Sequence, residues 1–502
     1  MKPIKIMTLL TLIIVTVAST TAQQPARGPL HPKSAAGVMP AAYLAHPNQR
    51  PARPSSNSGI LQPVASLGLG DAASAAAIDQ PLASASAGNH LLRLGWNNGL
   101  TIVQTTTLTS QPSSLAIGQI NNDRLADLAA LQPATKQLGL WRGTLSQTLQ
   151  LTQHYTISTE PEALHAADLT SDCRDDLAFA TPGTIQIWSQ PNNNPMQASL
   201  SLPFANRSMS DLALGDLNYD GQLDLAALRG TGGITQHLDL FSLYRGSLLA
   251  TDYRPVDDQG FAAHAVAIGD VTNDGRADLV VSAGGNIPNA AINIFAQQSD
   301  GRITTTPQLL PAWHLPEALA IADINHDGFN DILALNSGWL ALTIYRGRVD
   351  GTLAAYETYD LPYSTSYRPE TLAVGDLNRD GGLDVLIADD LRGLTYLINS
   401  SAAPSATIDD QIVPCSTITT PHFSMSGTLT NATALDVSLD AGATWQVANV
   451  TGTTWSYETE LPAWVYPLVM VRARQGDRVQ APATMRRLRF QHHRIAAPLV
   501  MQ

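Results

Sequence analysis

Lysine is nearly missing from this 502-residue chain, standing only at positions 2, 5, 33 and 136. With 29 Lys and Arg against 42 Asp and Glu, the formal net charge is -13. No basic face of the kind that grips nucleic acid can be assembled from such a composition. Cysteine is equally scarce. Cys173 and Cys415 are the two in the chain, too few for a disulfide-stapled scaffold or a cysteine-based metal or nucleophile site. In an oxidising compartment they could pair, or they could remain buried or free thiols. Catalytic spellings are absent too: there is no Gly-x-Ser-x-Gly, no His-Glu-x-x-His and no Cys/His pairing. Beyond residue 18 no apolar run approaches the roughly 20 residues of a membrane-spanning helix.

What is present begins with an N-terminal leader. Lys2 and Lys5, an apolar run over 6–18 and the small-residue stretch Thr20-Thr21-Ala22 have the three parts of a secretory signal, expected over 1–22. No cysteine follows it to take a lipid. The expected location is therefore extracellular, secreted or at the cell surface. Residues 23–58 are rich in Pro, Ala, Ser and Gln, with prolines at 25, 29, 32, 40, 47, 51 and 54. This composition predicts a flexible, disordered linker.

The rest is organised around one spelling, Asp216-Leu217-Asn218-Tyr219-Asp220-Gly221-Gln222-Leu223-Asp224. Oxygen side chains at positions 1, 3, 5 and 9 and a glycine at 6 suit a hard cation, Ca²⁺ first among them. Alternate residues of a tight loop point inward, and the glycine permits the turn that wraps the chain around an ion. Residues 225–228 read as a short apolar strand rather than a helix, so the loop is expected at a hairpin tip. The pattern returns complete at Asp270, Thr272, Asp274, Gly275 and Asp278; at Asp323, Asn325, Asp327, Gly328 and Asp331; and at Asp376, Asn378, Asp380, Gly381 and Asp384. Asp168, Thr170, Asp172 and Asp176 keep the oxygens but place Cys173 at the glycine position, a weaker fifth candidate. Gln119, Asn121, Asp123 and Asp127 keep two carboxylates with Arg124 at that position, which argues against a tight site. Asp71 and Asp79 read as a decayed copy.

Loop starts at 71, 119, 168, 216, 270, 323 and 376 give a period of about 50 residues, the range of a propeller or related array. Each unit offers a strand into the loop, a strand out, a third such as 238–241, 292–295 or 342–345, and a more polar fourth such as 302–305. Four strands in seven units predict an all-β, closed seven-bladed propeller.

With these loops the chain resembles the FG-GAP, or VCBS, repeat family, which includes the integrin α-subunit head and secreted bacterial proteins. The resemblance covers roughly 60–413 and is most specific at 215–224 and 375–384. It implies a propeller over 59–413 whose loops bind Ca²⁺ on one face. Four Ca²⁺ sites are expected, with 168–176 as a possible fifth. Their role is expected to be stapling hairpins.

Trp141, Trp188, Phe241, Phe295 and Tyr345 recur near the end of the third strand, which predicts packing between units. Off the repeat lie Tyr253, Arg254, Trp313, His314, Trp339, Tyr367 and Arg368. If the propeller holds, these sit on connections opposite the metal loops and form a ligand-binding patch of aromatic platforms with Arg and His. Ordinary loop packing is the bland alternative. After about 414 the metal loops stop. Residues 438–445 resemble an Asp-box hairpin, and 414–490 resembles a small immunoglobulin-like β-sandwich. A basic tail with His492 and His493 occupies 491–502.

These features favour a secreted, calcium-stabilised, non-catalytic binding or adhesion protein, a monomer recognising a glycan or a surface protein. A carbohydrate-active enzyme such as a polysaccharide lyase is the first alternative, with His264, Arg254 and Arg368 as candidates. A structural envelope or matrix component is the second.

Overall fold

The structure, a computed structural model, describes residues 61–490 apart from 62–64, 68–72, 80–81, 122, 124, 147, 173, 191–194, 204–208, 230–235, 257–262, 284–289, 313, 338–340, 362–367, 390, 392, 400–403, 410–416, 419–421, 440–443, 461–467, 477, 481–483 and 488. The expected signal, linker and tail, and both cysteines, therefore lie outside the described residues.

Among the described residues between Ala65 and Leu397 the regular structure is β apart from two short 3-10 turns, in seven four-stranded antiparallel sheets. Six of them are built from consecutive strands: 73–107, 114–156, 162–203, 209–256, 263–311 and 316–360. The cause is local. In six of the seven sheets the second strand is a six-residue run, apolar between an Asp and its last residue, with every residue buried, as in Asp127–Gln132, Asp224–Arg229 or Asp331–Asn336. An apolar run without alternation must be covered on both faces. The fourth strand of a sheet carries the polar edge, as in Leu149–Thr156, whose residues are mostly exposed.

What covers those faces is the neighbouring sheet. Seven apolar clusters each combine two adjacent sheets, and one of them joins the first sheet to the last through Ala73, Ala85, Leu92, Leu386 and Leu394. The first strands lie side by side in sequence order, and Ala73–Asp79 also lies against Leu372–Gly375. Close approach there explains the glycine before the loop: a Cβ on Gly215 would collide with Ile268 of the next sheet, and one on Gly375 with Ile78 of the first. The arrangement is propeller-like.

The recurrent aromatics fall where the period places them. Trp141, Phe241, Phe295 and Tyr345 are buried, and each packs into a cluster with the preceding sheet. Trp141 is 1% exposed and lies among Ala75, Leu91, Leu115 and Leu128, with His154 edge-on at 6.0 Å. Trp141→Ala is expected to cost about 3–5 kcal/mol, the lost transfer energy plus a cavity. Urea denaturation reads it, and a loss below about 1 kcal/mol would contradict the packing.

Four expectations change. Residues 71–79 are not a decayed loop: Ala73–Asp79 is the first strand of its sheet, and Asp79 pairs with Leu82, leaving two residues between strands. The fourth strand of the fifth sheet is Gln308–Pro311, not 302–305, where Ile303 makes a single bridge to Gln297 across a turn. The last sheet takes its fourth strand from the chain's start, Ala65–Leu67 pairing with Leu394–Tyr396. The change-over to the C-terminal part comes before 414, because Ser405–Ala406 already pairs with Leu429 and Thr430.

That C-terminal part has two main antiparallel sheets, one built on His422–Thr430 and Thr454–Glu460, the other on Ala434–Ser438 and Leu468–Gln475. They share one core that includes Phe423, Met425, Leu435, Val437, Trp455 and Val471. Buried Asp436 is paired with Arg474 at 2.8 Å and Arg472 at 3.2 Å, and the Arg472 guanidinium lies 3.9 Å above the Trp445 ring.

Candidate metal centre

Every carboxylate loop sits at the tip joining the first and second strands of its sheet. The residue before position 1 pairs with position 9 in each case: Ala167 with Asp176, Gly215 with Asp224, Gly269 with Asp278, Ala322 with Asp331 and Gly375 with Asp384. The tips therefore share one end of the sheets. Position 4 is left-handed in all five, at Ser171, Tyr219, Asn273, His326 and Arg379, and the position-6 glycines 221, 275, 328 and 381 have φ from 79 to 93°. Side chains pay a steric cost at such φ, so glycine is the residue that fits there.

The carboxylates organise the turn. Asp216 Oδ1 accepts from the Asp220 amide at 3.1 Å and its Oδ2 from the Gly221 amide at 2.8 Å; Asn218 Oδ1 accepts from the Asp220 amide and Asp220 Oδ1 from the Gln222 amide. The same bonds recur from Asp270, Asp323 and Asp376 to positions 5 and 6 of their loops. Position 9 has a separate task. Asp278, without exposed surface, accepts from Val271 and Thr272 through Oδ2 and from Gln297, beyond the third strand, through Oδ1, at 2.9–3.0 Å. Asp224, Asp331 and Asp384 tie position 2 to the end of the third strand in the same way. Asp127 makes a similar tether from position 3, Asn121, to Gly143 at the end of the third strand, in a loop with Arg124 at the glycine position. The recurring position-9 aspartate is thus a hairpin tether in its own right, which spacing alone does not reveal.

Burial raises these carboxyls. It pushes Asp224, Asp323 and Asp384 up to about 7 and Asp278 and Asp331 to about 6, against backbone hydrogen bonds that act the other way. Neighbouring aspartates add to the rise at Asp224, Asp323 and Asp384. Asp216, Asp270 and Asp376 are raised by the same burial. Some charge is compensated locally: Arg346 meets Asp331 Oδ2 at 2.9 Å, Arg276 folds onto Asp274, and Arg174 lies 3.6 Å from Asp172.

As donors, three crowded carboxylates with an Asn or Thr oxygen fit a hard cation. Among the described residues, however, no three His, Cys, Asp or Glu side chains converge into a cage able to hold a metal ion. Their oxygens are turned to backbone amides instead.

The tips are also bonded to their neighbours. Gln297 donates to the Asp216 carbonyl at 3.0 Å, Asn330 to the Asp270 carbonyl at 2.9 Å and Asn399 to the Ile324 carbonyl at 2.7 Å. Ser171 Oγ donates to Gln222 at 2.5 Å. None of these stitching residues stands out in the sequence, since their partners are 51 to 81 positions away.

The expected ligand patch is only partly placed. Trp313, Trp339 and Tyr367 lie outside the described residues. Tyr253 and Arg254 belong to the edge strand Ser247–Val256, opposite Asp239 and Leu238, rather than to a connection. Their side chains are outside the description. His314 is buried at 7% exposure and so presents no open platform, whereas Arg368 is exposed at the head of the short 3-10 turn Pro369–Thr371. His264, on Ala263–Gly269, is half-buried.

The FG-GAP-like repeat family matches the chain over 168–227, 270–334 and 323–387. No curated protein matches it. Among solved structures, a protein from Lactobacillus plantarum is similar at 14% identity and a TM-score of 0.44, over 59% of this chain and 85% of that one. A functionally unknown protein from Desulfotomaculum acetoxidans is similar at 14% identity and a TM-score of 0.45, over 65% and 92%. The chain thus carries FG-GAP-like repeats three times within a propeller-like, all-β body.

Proposed function

We propose that this chain is an exported, non-catalytic binding protein: a closed seven-bladed propeller whose hairpin loops hold Ca²⁺, followed by an immunoglobulin-like sandwich. The observation that carries the reading is the set of carboxylate tips at one end of successive sheets, bonded to their neighbours, within FG-GAP-like repeats. Aspartates 1 and 5 and the Asn or Thr at 3 would hold the cation. It would supply the positive charge that offsets crowded carboxylates, and its task is to stiffen the tips rather than to react.

With one end of the sheets committed to metal loops, recognition of a glycan or surface protein falls to the opposite connections, where Arg368 is exposed. The test is retention of residues 23–502 on a panel of polysaccharides, glycans and surface proteins, with Ca²⁺ and with EDTA. Calcium-dependent retention without product release is expected. Release of unsaturated sugar ends would replace this reading with a lyase, and absence of any retention would replace it with a structural component.

A further inference from the structure

Three of the tips are covered by the turn that follows the third strand of the next sheet. A Cβ on Gly246, in the fourth sheet's turn, would collide with Thr170; one on Gly301, in the fifth, with the Asn218 carbonyl; and one on Gly351, in the sixth, with the Thr272 carbonyl. All three glycines are left-handed, at φ 74, 80 and 75°, and all three meet position 3 of the preceding loop. Asn273, at position 4, also donates to the Val349 carbonyl of the sixth sheet's turn at 3.2 Å. Tip 323–331 has no such turn to receive. The sheet after it is the last, whose fourth strand comes from the chain's start, so from Gly393–Leu397 the chain runs on to Ser405–Ala406 of the C-terminal part.

Yet this tip is the most closed of the four complete loops. His326, at position 4, has no exposed surface, whereas Tyr219, Asn273 and Arg379 are exposed there. The C-terminal part supplies the cover: the Val479 amide donates to the His326 carbonyl at 2.8 Å, and a Cβ on Gly328 would meet Val479 Cγ2 at 3.4 Å. Val479 also follows a turn with a left-handed glycine, Gly476 at φ 62°, between Leu468–Gln475 and Arg478–Val479. Its N–H is not taken from its own sheet. Gln480 donates to the Ala473 carbonyl at 2.7 Å and antiparallel pairs alternate, so the adjacent pair Arg474 and Val479 exchanges no ladder bonds and the Val479 amide faces outward.

We infer that tip 323–331 is a docking seat whose partner is the chain's own C-terminal two-sheet module: the module stands in for the turn that the last sheet lacks and holds the sixth tip closed. The coupling is a backbone hydrogen bond and a close backbone approach. It involves neither metal nor ligand, so its failure would leave the proposed function standing.

Peptide-resolved amide hydrogen exchange of the full chain tests it. In the unaltered protein, 323–331 is expected to exchange no faster than 216–224 and 270–278, although it lacks their covering turn; faster exchange would overturn the seat. Val479→Pro removes the donated N–H, and an edge position whose N–H lies off the ladder tolerates proline. Losing one backbone hydrogen bond is expected to speed exchange at 323–331 by roughly two- to tenfold and to leave 216–224 unchanged. Val447→Pro is the matched control. Val447 lies on the opposite edge of the same sheet, is 69% exposed, and is likewise off the ladder, because the neighbouring Ala448 donates to Leu435. Gly351→Ala, which forces the turn away from Thr272, is expected to speed exchange at 270–278 alone. Unchanged exchange at 323–331 in Val479→Pro, or the same acceleration in Val447→Pro, would overturn the inference.

Discussion

Asp278→Ala is expected to cost about 3–5 kcal/mol, because three backbone amides, two of them buried and one half-buried, lose their acceptor at once and each unsatisfied buried donor costs about 1–3 kcal/mol. Val271, Thr272 and Gln297 are those donors. The total stays below the upper sum because the mutation also removes a carboxylate whose burial is itself unfavourable, as its rise to about 6 indicates. Asp278→Asn keeps one acceptor oxygen and is expected to fall between. Asp127→Ala provides the control for cause. It breaks the equivalent tether, to Asn121 and Gly143, in a loop with Arg124 at the glycine position. A comparable loss there, unaffected by Ca²⁺, would establish the position-9 aspartate as a folding element. A loss under about 1 kcal/mol at both sites in urea titrations would remove that role.

Stripping Ca²⁺ is the second large effect expected from the proposed function. A ligand at 100 times its Kd stabilises the folded state by about 2.7 kcal/mol per site. Four complete loops would together give a shift in Tm of roughly 10 °C or more between calcium and EDTA, allowing for the small shift per kcal/mol in a body of this size. The physical source is repulsion among three carboxylates per turn once the counter-charge is removed. Asp220→Asn and Asp380→Asn, each taking one ligand from one loop, are expected to remove about a quarter of the shift apiece. Re-adding calcium to stripped protein with no change in the melt would end the Ca²⁺ assignment.

The hairpin positions were legible because their determinants are local. In the stretch 215–229, a glycine, an oxygen-rich turn and a buried apolar run follow one another within fifteen residues, and the structure places strand, tip and strand in that order. The aromatic at the end of the third strand was legible through recurrence: Phe241, Phe295 and Tyr345 each pack against the preceding sheet. The ligand patch was not. His314 and Arg368 look alike as polar residues off the repeat, yet one is buried and the other exposed, a difference made by the sheets around them.

The sequence by itself therefore determined the all-β class, the repeat length, the carboxylate tips and the apolar strands that leave them, since turn chemistry and burial pattern act over a few residues. Only the tertiary structure decided that Ala65–Leu67 completes the last sheet, that the first sheet turns at Asp79 without a carboxylate loop, that position 9 ties three strands together, and that loop 323–331 lies beneath Val479. Each of these depends on backbone groups brought together from distant or neighbouring strands. Any residue other than proline can offer an amide or a carbonyl, so such contacts leave no mark in the order of side chains.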